Sequence, residues 1–120
     1  MQGESDSLSE ENAINYEKNL TAFIEDVRER FDRYAADDVI VFVDALIADN
    51  PEFWVHCDLV NASKRSVEKV SDMNLLVDTI AAGLTCTEEP EGDPDMAHYD
   101  SKSEIKLGHL FAKELILFLK

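Results

Sequence analysis

The run DPDMAHYDSKSE over residues 93–104 holds the densest set of groups capable of chemistry in this chain. Asp93, Asp95, Tyr99, Ser101 and Glu104 fall at positions 1, 3, 7, 9 and 12 of a calcium-binding loop of the EF-hand kind. Calcium takes six to eight oxygen ligands there, and a glycine at position 6 makes the sharp turn. Here position 6 is His98 and position 5 is Ala97, so the pattern breaks where the geometry is strictest. Glu104 has a second explanation, because Ser101 with Glu104 three residues later reads as a helix capping box.

Other ligand-type residues are scattered. His56, Cys57, Cys86, His98 and His109 show no finger or ribbon spacing. Neighbours such as His56 and Cys57 on a helix point about 100° apart, which disfavours joint chelation. Both cysteines read as reduced thiols, and neither CxxC nor a disulfide framework occurs. No G-x-S-x-G, P-loop, H-E-x-x-H or dinucleotide fingerprint is present. The carboxylate pairs Asp37/Asp38, Glu88/Glu89 and Asp93/Asp95 lie in polar segments that offer no visible means of shifting a pKa. The expectation is a chain with no catalytic residue, no cofactor and no metal.

Charge is the strongest compositional signal. Twenty-six acids against eleven bases leave −15 on 120 residues, and the pI is about 4.3. Residues 1–12, 37–62 and 87–100 contain four, six and six acids and no base, so the remainder of the chain is close to neutral. Such a chain repels nucleic acid and anionic membranes. No apolar run approaches the ~18–20 residues needed to span a bilayer, and the polar, acidic start is no signal peptide. A cytoplasmic location is expected.

The elements that would carry these groups read as helices. Tyr16, Leu20, Phe23, Ile24, Val27, Phe31 and Tyr34 recur at helical spacing, which predicts a helix over about 12–36. Its outer face pairs Asp26 with Arg30, Arg28 with Asp32 and Glu29 with Arg33. A second helix is expected from Asp37 or Asp38 to Asp49, although Val39–Val43 is β-branched enough to form a buried strand. Asn50-Pro51 then opens a third over 51–62. From Ser63 or Ser66 a fourth would present Val70, Met73, Val77, Ile80 and Leu84 as a heptad-like seam, with Gly83 near its end. Residues 85–100 form a long loop, functional or disordered, and Ser101–Lys120 a final helix. The fold expected is all-α, a compact bundle of four to five helices. Residues 1–10 would be a disordered acidic tail, and 11–120 a single helical domain.

On these features the chain resembles, in general type, small acidic inhibitors and immunity proteins, and nothing ties it to one family. Its expected role is inhibition or regulation of a basic nucleic-acid-handling protein or toxin, of immunity, anti-restriction or anti-defence type, by protein contact and nucleic-acid mimicry. The partner-binding residues would be Asp37, Asp38, Asp44, Asp49, Glu52 and Asp58, with Trp54 as aromatic anchor and Glu88, Glu89, Glu91, Asp93 and Asp95 in the loop. The alternative is a helical adaptor that homodimerises through the apolar surplus at Val39–Ile47 and Leu115–Leu119.

Overall fold

A computed structural model describes residues 1–35 and 39–120. Asp37 and Asp38, two of the expected partner-binding acids, lie outside the described residues. Three α-helices and two strands follow in the order α1 (Glu10–Phe31), β1 (Phe42–Ala45), α2 (Cys57–Glu68), β2 (Asn74–Val77) and α3 (Ser101–Phe118). The strands pair in parallel, Phe42 opposite Asn74 through Ala45 opposite Val77, with α2 as the crossover between them. The fold is therefore mixed α/β, which corrects the expected all-α bundle.

The physical reason lies in the middle of the chain. A parallel strand covered on both faces reads as a near-continuous apolar run, and over five residues helix and strand periodicities cannot be separated. Phe42 and Val43 open such a strand, β1, and among the described residues the expected second helix is absent. Residues 51–56 form turns, so the third helix starts only at Cys57. It then runs six residues past Ala62. The expected fourth helix is split between the end of α2, β2 and a turn that closes with Gly83 at φ +67°. Its apparent heptad seam is produced by three different elements.

The outer helices behave as their periodicity predicts. Ser9 caps α1, its side chain accepting from the Asn12 N–H at 3.4 Å, with Glu10 and Glu11 in the first turn. Asp26–Arg30 forms as expected. Arg28 does not pair with Asp32. Its guanidinium donates instead to the Ile40 and Met73 carbonyls and to Asn74 Oδ1 at 2.8 Å, tying α1 to the start of both strands. At α3 the capping box is not formed: Asp100 takes the N-cap position, and the Ser101 N–H donates to Glu89.

Two cores cover the sheet. Ala13, Tyr16, Ile47, Cys57 and Val60 pack α1 and α2 on one face, while Ala45, Val77 and Leu107 join α3 to the other. The outer edge of β1 is closed by side chains. The Ala45 N–H donates to Asp44 Oδ1. Asn61, on α2, accepts from the Ile47 N–H at 2.9 Å and donates to its carbonyl at 3.1 Å, as a neighbouring strand would. Asp44, expected at a partner surface, is buried and bonded to the buried Lys64 at 2.7 Å. Burial pushes the Lys64 ammonium down, and Asp44 opposes that shift.

Residues 1–9 are not a loose tail. Gly3 is buried at φ +128°, and a Cβ there would lie 2.8 Å from Val60 Cγ1. The wholly buried Ser7 accepts from the His56 N–H at 2.8 Å, and the Tyr16 hydroxyl donates to Gln2. Among the described residues, no helix is long and apolar enough to cross a membrane.

Asn61→Ala strands a buried N–H and a buried C=O at Ile47, so it should cost about 2–4 kcal/mol of stability. Urea unfolding monitored by far-UV circular dichroism measures this as a lower midpoint with an unchanged slope.

Candidate active site

In a parallel α/β unit the crevice beyond the carboxyl ends of the strands is where ligands bind. Here two connections meet there: Ala48–His56, after β1, and Asp78–Asp100, after β2. Asn50 donates from Nδ2 to the Met96 carbonyl at 2.8 Å, and Trp54 Nε1 donates to the Ala97 carbonyl at 2.9 Å. Residues 94–98 are thus suspended over the end of the sheet.

The longer connection is organised around Asp100, which is only 3% exposed. Its carboxylate accepts from the Thr85 hydroxyl at 2.7 Å and from the Glu88 and Glu89 N–H groups at 3.1 and 2.8 Å. Burial pushes Asp100 up, yet Thr85 and the neighbouring N–H donors outweigh it and hold the carboxyl below the usual range. Glu89, half-buried, anchors the Ser101 N–H at 2.7 Å. The loop is ordered, and three of its acids serve the chain itself.

Met96 sits at φ +65°, uncommon for a residue other than glycine. Its N–H donates to the Cys86 carbonyl and its own carbonyl receives Asn50, so both polar groups are pinned. The kink turns His98 back onto Asp95. Asp95 Oδ1 accepts the Ala97 and His98 N–H groups at 3.0 and 3.1 Å, and His98 Nδ1 lies 3.0 and 3.2 Å from the two carboxylate oxygens. The Ala97 N–H, then His98, hold the Asp95 carboxyl below its ordinary range. An ionised carboxylate only accepts, so Nδ1 of the neutral ring carries the proton and Nε2 presents its lone pair. The Trp54 ring meets the imidazole edge-on at 5.9 Å. The His98 side chain is 72% exposed, and among the described residues no hydrogen bond reaches Nε2.

The pairing has the geometry that a base and its orienting carboxylate take in a nucleophilic triad. Among the described residues, no serine, threonine or cysteine side chain is hydrogen-bonded to His98. The thiols do not substitute for one. Burial, then Asp100, Asp95 and Glu104, pushes Cys86 up to about 11, and burial with Asp49 raises Cys57. Both remain neutral and inert at physiological pH. Also among the described residues, no group of three or more His, Cys, Asp or Glu is placed to hold a metal ion.

The family model described as carbohydrate esterase, sialic acid-specific acetylesterase, matches residues 1–117. The chain belongs to that family. No curated protein and no solved structure matches it. Membership points to an esterase, and overturns the expectation of a non-enzymatic acidic inhibitor, immunity protein or homodimerising adaptor.

The expected partner-binding residues distribute accordingly. Asp44 is spent internally, while Asp49, Glu52 and Asp58 are exposed around the β1–α2 connection. Glu88, Glu91 and Asp93 face solvent, and Asp95 belongs to the histidine pair. Trp54 holds the Ala97 carbonyl rather than offering itself to a partner. Sequence reasoning placed His98 in a broken calcium loop and in a scattered set of ligand-type residues, and missed its pairing with Asp95. Its signal was the D-x-x-H spacing, which lets an aspartate turn at position i receive an imidazole from i+3.

Asp100→Asn should lower the melting temperature at neutral pH, since an amide cannot accept all three donors. The folded-state carboxyl ionises below the unfolded value of about 3.9. Its stabilisation is therefore full above that value and is lost as pH falls through the folded-state value. Melting curves of the two proteins, recorded from pH 7 down to pH 2, should converge at the acid end.

Proposed function

We propose that the chain acts in hydrolysis of O-acetyl esters on carbohydrate, with His98 as general base and acid and Asp95 as its orienting carboxylate. The supporting observation is the Asp95–His98 pair with Nε2 open, at the carboxyl end of the parallel strands. Family membership supplies the bond type.

The chemistry follows from the tautomer. A hydroxyl nucleophile, from water or from a side chain carried into the groove, adds to the acetyl carbonyl carbon as its proton passes to Nε2. The new C–O bond gives a tetrahedral oxyanion, and Asp95 stabilises the imidazolium that has formed. Collapse re-forms the carbonyl and breaks the bond to the sugar oxygen, which takes the proton back from Nε2. With water as nucleophile the acetyl group leaves as acetate in that step. With a side-chain hydroxyl, a second cycle with water releases it.

The test is acetate release from an O-acetylated sugar by the purified protein. His98→Ala should lose about 10²–10⁴-fold in rate. Asp95→Asn should lose a comparable amount, because the amide no longer enforces the tautomer while it can still accept the Ala97 N–H. Absence of acetate release by the unaltered protein, or an undiminished rate in His98→Ala, would rule the assignment out.

A further inference from the structure

Trp54 is the chain's one tryptophan, and it is rooted in the fold at both its backbone and its ring. Its N–H donates to the Asn50 carbonyl at 2.8 Å, and its own carbonyl accepts from the Cys57 N–H at 2.9 Å, where α2 begins. The half-buried ring packs against the core of Ala13, Tyr16, Ile47, Cys57 and Val60. From that fixed root the indole reaches the site twice. Nε1 donates to the Ala97 carbonyl at 2.9 Å. The ring also lies against the His98 imidazole, with centroids 5.9 Å apart and planes at 75°. One side chain thus touches both the peptide that leads into the histidine and the histidine itself.

The bond to Asp95 does not fix the imidazole unaided. In histidine the torsion between Cβ and the ring is broad and roughly two-fold. A flip about it exchanges Nδ1 for a ring carbon and undoes the bond to the carboxylate. The His98 and Asp95 side chains are 72% and 47% exposed, and contacts between polar groups so open to water hold weakly. A second surface against the ring is what restricts the flip. The edge-to-face contact with the indole supplies it, in a geometry that aromatic pairs favour.

We infer that Trp54 is a positioning residue for the base. Its indole N–H fixes the peptide that carries His98, and its ring holds the imidazole in the rotamer that pairs with Asp95 and leaves Nε2 open. The kinetic half of this inference rests on the esterase reading above, whereas the geometric half depends on no substrate.

The test uses protein labelled with ¹⁵N-histidine at mildly alkaline pH, where an imidazole is neutral. Loss of signals in His98→Ala assigns the His98 ring. In the unaltered protein Nδ1 should give the signal of a protonated nitrogen and Nε2 that of a bare one. Trp54→Phe keeps an aromatic ring and deletes the donor, and Trp54→Leu removes both contacts. Each should move the two signals toward the tautomer mixture of free histidine, Trp54→Leu further, with the far-UV circular dichroism unchanged. In acetate release kcat should fall about tenfold for Trp54→Phe and about 10²-fold for Trp54→Leu. KM should stay within about twofold in both, since the residue acts on the base and not on binding. Unmoved His98 signals in Trp54→Phe, or an undiminished kcat in an active enzyme, would overturn the positioning role, and this variant decides alone if Trp54→Leu fails to fold. Displaced signals in a protein that releases no acetate with Trp54 intact would sink the esterase reading and uphold the positioning.

Discussion

The carbonyls of Met96 and Ala97 each accept one hydrogen bond from the β1–α2 connection, and the geometry of the site passes through those two bonds. Asn50 and Trp54 are four residues apart, on a turn in which the Asn50 carbonyl itself receives the Phe53 and Trp54 N–H groups. That turn is fixed in space because Leu46 and Ile47 are wholly buried just before it. Leu46 continues the ladder to Val77 and Ile47 is held by Asn61. A left-handed Met96 costs of order 1–3 kcal/mol and persists only where its surroundings over-determine it. Here they do, with one bond on its N–H and another on its carbonyl. Released from either, the segment could relax to ordinary backbone, and His98 would swing off Asp95.

The shortage of bases shapes how this chain uses its acids. With eleven cations for twenty-six carboxylates, ion pairing cannot neutralise the charge. Several aspartates therefore take backbone N–H groups, whether or not they also have a cation. Asp44 takes the Ala45 N–H, Asp78 the Ala81 N–H, Asp95 those of Ala97 and His98, and Asp100 those of Glu88 and Glu89. Charge-assisted bonds to N–H groups are among the stronger ones available. They also organise turns, because an aspartate that accepts from residues two or three ahead is a local template for the bend. The acidic stretch 87–100 is consequently a scaffold as well as a solvated surface.

How much of this was legible follows from length and periodicity. α1 and α3 span 22 and 18 residues, long enough for a 3.6-residue pattern to stand out, and both fall within a few residues of expectation. β1 and β2 have four residues each, and a strand buried on both faces has no alternation to read. The buried Asp44 made Val39–Ala48 resemble an amphipathic helix, when the acid is instead neutralised from α2 by Lys64. At the site the residues were seen but their geometry was not. Asp95 and His98 were counted along a calcium loop and Trp54 as an anchor for a partner. Only the turn at Met96 and the bond to Ala97 show that all three belong to one arrangement.

The same geometry sets what the pair can do unaided. A histidine 72% exposed in an open groove sits in a high effective dielectric, where a neighbouring carboxylate orients the ring more than it stabilises charge. Most of the rate advantage in acyl transfer comes from donors aimed at the oxyanion in a water-excluded space. Among the described residues, the N–H groups of Ala97 and His98 are committed to Asp95 and that of Met96 to Cys86. The hydrogen bonds that build the dyad thus consume most of the local donors. Orientation is built into the loop, and desolvation is left to the substrate and to whatever closes over it.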